Sequence, residues 1–211
     1  MNSTIGIGPS SPSRTRTPTQ VEGVAATPAT VVVIGQPGAV RTMLCRRLHG
    51  LGATIEVVDD TDPDRRYSFD GSELRPVHAD DCRSSRVVSC VAVLGPPPGG
   101  PRGCWNWRRR RAARRQEDRV ISALLTDTSR ADSCRLLIVA EAFAAADVRK
   151  ARRRAREVAR EAAYETEING TSVTSTFYLA VGASLSTTAA MPAIVRWAYG
   201  GPPRARISVD R

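Results

Sequence analysis

The chain has 211 residues, 41% hydrophobic and 5% aromatic, which is enough for one sizeable core and short of the usual size for two domains. No apolar run reaches membrane-spanning length, which excludes a transmembrane helix, and five cysteines without a Cys-x-x-Cys pair or a nearby His suit neither a zinc site nor a disulfide framework. The formal net charge is +10 with a pI near 10.4, and Lys150 is the single lysine among 31 basic residues.

Residues 1–28 are rich in Ser, Thr, Pro and Gly and lack the apolar stretch of a secretory signal, so they are expected to form a disordered tail ahead of a domain over 29–211. With reduced, buried or half-buried thiols at Cys45, Cys82, Cys90, Cys104 and Cys134, a cytoplasmic protein is expected. From Val31 the sequence reads Val-Val-Val-Ile-Gly-Gln-Pro-Gly, then a helical stretch to His49, then Ala-Thr-Ile-Glu-Val-Val-Asp-Asp. Buried strand, glycine turn, helix, second strand and terminal acid make the first βαβ unit of a Rossmann-type sheet. In such a unit the glycines let the backbone close on a pyrophosphate, and the acid, here Asp59, holds the adenosine ribose.

The stretch from Gly35 to Ala53 resembles the short-chain dehydrogenase/reductase family, whose turn is Gly-x-x-x-Gly-x-Gly. Gly35 matches its first glycine, Ala39 and Arg41 stand where the second and third belong, and Gly38 is an offset substitute. A guanidinium at position 41 has to swing away from the turn or salt-bridge a phosphate. The resemblance implies a doubly wound, parallel, three-layer α/β/α sheet in a single domain. Leu74–Ala79 is then the third strand, with Asp80 and Asp81 as the acids that contact adenine. His49 falls on the first helix and His78 near this strand, both read as structural.

Val87–Leu94 reads as the fourth strand, but the family's Asn-Asn-Ala-Gly is replaced by a Pro/Gly loop. Trp105–Leu125 reads as a helix, Leu136–Val139 as the fifth strand, Ala144 to about Tyr164 as a long helix and Thr171–Val181 as the sixth strand. Thr187 and Thr188 lie near the family's cofactor loop. Val209-Asp210 matches the end of its seventh strand.

The resemblance also supplies a catalytic test. The family uses a Ser after the fifth strand and a Tyr with a Lys four residues later, one helical turn apart, so that the cation stabilises the phenolate. Matching Val158-Ala-Arg-Glu-Ala-Ala to the family's Leu-Ala-Arg-Glu-Leu-Ala places Ala144 at the tyrosine and Val148 at the lysine. Sliding the register does not rescue the pair, because Ala146 precedes Lys150 by four, and Tyr164 and Tyr178 come too late. Glu141, at the strand exit, is the one acid or base candidate left. No catalytic residue and no metal site are assigned. The cofactor-binding set is reduced to Gly35, Gly38, Asp59 and Asp80, with NADPH or NADH held weakly at best.

Arginine is concentrated in two of the expected helices. Residues 108–119 carry seven arginines against Glu117 and Asp118, and residues 149–160 carry six arginines and Lys150 against Glu157. On the second, Val148, Ala151, Ala155, Val158, Ala159 and Ala162 form the sheet-facing stripe, leaving Arg149, Arg152, Arg153, Arg156 and Arg160 on other faces. In the family these two helices form the subunit interface, where self-pairing would oppose arginine rows and an acidic partner would not. The expected function is a catalytically inactive family-like subunit that pairs with an active ketoreductase of fatty-acid or polyketide type and either stabilises it or equips it with a docking surface for an acidic carrier protein. Three alternatives stay open: an arginine-rich composition that is only solvated, nucleic-acid binding through Trp105-Asn-Trp-Arg-Arg-Arg-Arg, and a residual NADPH-binding oxidoreductase.

Overall fold

The computed structural model describes residues 30–77, 87–96, 106–129, 131, 133–142, 144–171, 173–182 and 187–199. Among the described residues seven strands and four helices follow one another as β1 (Thr30–Gly35), α1 (Ala39–His49), β2 (Thr54–Asp59), β3 (Asp62–Phe69), β4 (Leu74–Val77), β5 (Val87–Leu94), α2 (Asn106–Thr128), β6 (Ser133–Ala142), α3 (Val148–Ile168), β7 (Val173–Gly182) and α4 (Thr187–Ala198). They form one mostly parallel α/β sheet of order β4-β3-β2-β1-β5-β6-β7, compatible with a Rossmann-like fold.

The central strand β1 pairs in parallel with both β2 and β5, which explains why its sequence is an unbroken apolar run. Alternate residues enter opposite halves of the core. Val32 and Ile34 pack with Val120 and Leu124 of α2 and with Ala151, Ala155, Val158 and Ala162 of α3. Val31 and Val33 pack with Val40, Leu44 and Leu48 of α1 and with Ile194 and Trp197 of α4. The small side chains of α3 let its axis lie close to β6 and β7, and the stripe expected from the sequence is the face that is buried.

The stretch after β2 departs from the expected order. Leu74–Val77 is not a parallel third strand reached through a helix. It is an antiparallel edge strand paired with β3, which itself runs antiparallel to β2 after a tight turn at Asp60 and Thr61. The sheet is therefore parallel only in part. The strand Asp62–Phe69 was hidden by four charges and a proline in its first five residues. It is held inward by Arg66, a buried guanidinium that pairs with Asp127 of α2 and reaches Glu56 of β2 at 3.4 Å.

Helix α3 also starts later than expected. Ala145–Asp147 form a 3-10 turn, with the Asp147 N–H donating to the Ala144 carbonyl at 2.9 Å, and the helix then runs on to Ile168. Residues 1–28, His78, Asp80, Asp81, Cys82, Cys104, Trp105 and the Val209-Asp210 strand lie outside the described residues.

Candidate functional site

Because the chain leaves β1 toward β2 on one side and finds β5 on the other, the sheet has its switch point between β1 and β5. In open α/β sheets this crevice, at the carboxyl ends of the strands, is where ligands bind. Two of the proposed cofactor residues, Gly35 and Gly38, are found here.

Gly35 ends β1 with φ of +138°, and a β-carbon on it would lie 2.3 Å from the Val93 carbonyl oxygen. That approach of β1 to β5 alone demands glycine at this position. Gly38 precedes α1 in extended conformation, φ −173°, where any residue fits. A β-carbon there would stand 3.6 Å from Glu141 Oε1, so the carboxylate at the end of β6 faces the N-terminus of α1. No side chain caps α1 by a hydrogen bond, so this carboxylate stands near the positive end of the helix without bonding to it. Burial pushes the Glu141 carboxyl above its usual range.

Arg41 neither swings into solvent nor lies open for a phosphate. It is buried at 7% exposure, and Nη1 donates to the Gly35 carbonyl at 2.5 Å. The Arg41 side chain thus closes back over the turn.

A second arginine does the same on the other side of the switch point. Arg154 of α3 donates through Nη1 to the Gly95 carbonyl just beyond β5 at 2.7 Å, through Nη2 to Gln116 Oε1 at 3.0 Å, and through Nε to Glu117 at 2.5 Å. Sequence reading missed Arg154. Its signal was its position between Ala151 and Ala155 on the buried arc of α3, with Glu117 an acid among the arginines of α2.

Asp59 ends β2 as expected, but its Oδ1 accepts the Thr61 N–H at 2.9 Å and the Thr61 hydroxyl at 2.7 Å, closing the hairpin turn. Burial raises its carboxyl, while the Thr61 hydrogen bonds and the charge of Arg41 outweigh that and hold it below the usual value. The next residue, Asp60, has no exposed surface, and neither of its carboxylate oxygens accepts a hydrogen bond among the described residues. The Arg119 guanidinium stands 4.0 Å away, and burial pushes the Asp60 carboxyl up. Gln116 Nε2 and Arg119 Nε are likewise buried without a partner.

The remaining chemical candidates do not assemble into a constellation. Ala144 lies just ahead of the 3-10 turn and Val148 begins α3, while Lys150 is exposed and bonded to Asp147 at 3.4 Å. Tyr164 is exposed on α3 and Tyr178 on β7. Thr187 and Thr188 open α4. The His49 ring packs edge-on to Phe69 with centroids 5.8 Å apart. Cys45, Cys90 and Cys134 are buried, and burial pushes the Cys45 and Cys134 thiols up to about 11, far from a reactive thiolate at neutral pH. Among the described residues no group of three or more His, Cys, Asp or Glu could hold a metal, and no helix is long and apolar enough to cross a membrane.

The arginine-rich halves of α2 and α3 lie side by side, joined by Arg154, Gln116 and Glu117. Arg149, Arg152, Arg153, Arg156 and Arg160 are all exposed, as are Arg110, Arg111, Arg114 and Arg115. Comparison of the chain with models of protein families, with curated proteins and with solved structures gives no match in any of the three.

Proposed function

We propose that the described elements form one doubly wound, three-layer Rossmann-like domain of short-chain dehydrogenase/reductase type that has no catalysis of its own and pairs with an active member of that family. The observation that carries this reading is the filling of the switch point from within. Arg41 bonds the Gly35 carbonyl, Arg154 bonds the Gly95 carbonyl, and the Glu141 carboxylate faces the N-terminus of α1. A pyrophosphate brought to that helix would meet like charge and find the backbone turn occupied.

The positions that resemblance assigns to the proton donor and its lysine hold Ala144 and Val148, which can neither donate nor stabilise a proton in flight. What the chain offers outward is cationic surface on α2 and α3. Like rows facing each other across an interface cost several kcal/mol, so an acidic partner is favoured over a second copy. A ketoreductase of fatty-acid or polyketide type is the proposed partner, by analogy of fold.

The test is co-expression with an intact Tyr-x-x-x-Lys dehydrogenase from the same genome, followed by native mass measurement. A mixed assembly whose ketone reduction depends on the partner's tyrosine supports the reading. Two separate species, each assembled only with itself, refute it.

A further inference from the structure

Asp60 stands where an ionised carboxylate is hard to hold. It lies in the turn between β2 and β3 with no exposed surface, and among the described residues no donor bonds to either Oδ1 or Oδ2. Native proteins seldom leave a buried polar group unmet, and a carboxylate taken out of water without donors is far less stable than the neutral acid.

The groups around it are committed elsewhere. On α2, the Gln116 amide is fixed through Oε1, which accepts from Arg154 at 3.0 Å, while its Nε2 meets no acceptor. Arg119, one turn further along α2, reaches Oδ2 only at 4.0 Å, with its side chain 40% exposed. Within the turn itself Asp59 adds a second negative charge beside Asp60, and Asp62, paired with Asp59 across the ladder, is exposed. Burial outweighs the Arg119 cation, and the Asp60 carboxyl lies above its usual range.

The same turn carries the bonds at the rim of the switch point. Asp59 Oδ1 accepts the Thr61 N–H at 2.9 Å and the Thr61 hydroxyl at 2.7 Å. The charge of Arg41, which bonds the Gly35 carbonyl, acts on Asp59 from the other side. Asp60 joins Asp59 to Thr61 in the chain, so it cannot leave its site without disturbing that contact. The register of β2 on β3 shifts between Val58 and Asp59, so the regular ladder is interrupted where the turn begins.

We infer that Asp60 is a proton-operated latch: as the neutral acid it keeps the β2–β3 turn seated against α2, and on losing its proton to solvent it leaves that site and opens the turn, releasing Thr61 from Asp59 and Asp59 from Arg41. β2 stays paired with β1, so the opening is local. The device works whether or not the chain pairs with a dehydrogenase.

The seated form holds the proton more tightly than the open form, whose carboxyl has its ordinary value. Opening is therefore rarest below the ordinary carboxylate range, grows by up to about tenfold per pH unit above it, and levels off once the seated carboxyl is itself ionised.

The test is amide hydrogen exchange of the intact chain, read at Thr61 by NMR across a pH series, together with the NMR shift of the Asp60 carboxyl carbon. Each Thr61 rate is divided by that of Asp60→Asn at the same pH, which cancels the intrinsic pH dependence of exchange and keeps a side chain of the same shape. The Ser72 N–H, bonded to Asp70 at 3.1 Å in the β3–β4 turn, is the control.

We expect the Thr61 ratio to rise by up to about tenfold per pH unit and to level where the carboxyl shift reports ionisation, while the Ser72 ratio stays constant. A flat Thr61 ratio while Asp60 titrates overturns the latch, and so does an equal rise at Ser72. A carboxyl that titrates at its ordinary value, as an ordered water bonded to Asp60 would allow, overturns it as well. If Asp60→Asn does not fold, the Thr61 rate of the unaltered chain divided by the intrinsic peptide rate decides the same question.

Discussion

Replacing Arg154 by alanine separates the arginine that builds this domain from those that face outward. The guanidinium is nearly buried and satisfies Glu117, Gln116 and the Gly95 carbonyl at once. Its loss leaves Glu117, whose side chain is 19% exposed, without its cation, and leaves a strand-end carbonyl and an amide oxygen unmet. Breaking a buried pair from one side costs about 3–5 kcal/mol, and partial hydration of Glu117 places this one near the lower limit, about 3 kcal/mol. For a chain of this size that is a fall in Tm of about 6–12 °C by calorimetry. Arg156→Ala, two residues along and exposed, should change stability by less than about 0.5 kcal/mol. Adding Glu117→Gln to Arg154→Met should recover part of the loss by removing the stranded charge. Equal, small effects of Arg154→Ala and Arg156→Ala would refute the division of α3 into a buried staple and an outward row.

Other consequences follow from the ends of the strands. Gly35→Ala should destabilise by more than about 2 kcal/mol, because its β-carbon meets the Val93 carbonyl and its φ is positive, whereas Gly38→Ala should cost less than about 1 kcal/mol. Thermal unfolding that ranks them the other way would contradict the assignment of Gly35 to strand packing. Burial raises the Asp60 carboxyl above its unfolded value, so the folded state holds that proton more tightly and Asp60 lowers stability as pH rises through the unfolded and then the folded pKa. Asp60→Asn should therefore raise Tm at neutral pH, with the gain shrinking as pH falls from the raised folded pKa toward the ordinary carboxylate value and absent below it. A gain independent of pH would show that charge is not its source.

The parallel part of the sheet was legible because its signals are local and redundant. An unbroken Val-Val-Val-Ile run marks a strand buried on both faces, and alanines at helical spacing mark the inward side of α3. The hairpin was not. Asp62–Phe69 is stabilised by the Arg66–Asp127 pair, 61 residues apart in sequence, and no periodicity reveals a charge whose partner is that remote. The site was half legible for the same reason. That Arg41 stands in the glycine turn, and that Ala144 and Val148 carry no group able to transfer a proton, could be read position by position. That Arg41 turns back onto the Gly35 carbonyl, that Arg154 mirrors it at Gly95, and that Glu141 faces Gly38 are meetings of elements distant in the chain. Asp59 kept its place at the end of β2, but its bond to Thr61 depends on a turn that the expected parallel order did not contain.

A calorimetric titration of the isolated chain with NADPH and with NADH tests the central claim, that the switch point is closed by the chain's own side chains. With Arg41 on the Gly35 carbonyl and Glu141 at the N-terminus of α1, the titration should show no saturable heat up to about millimolar nucleotide, a binding free energy weaker than about −4 kcal/mol. Micromolar binding of either nucleotide to the unaltered chain would contradict the account, and would return Arg41 to the role of a phosphate ligand.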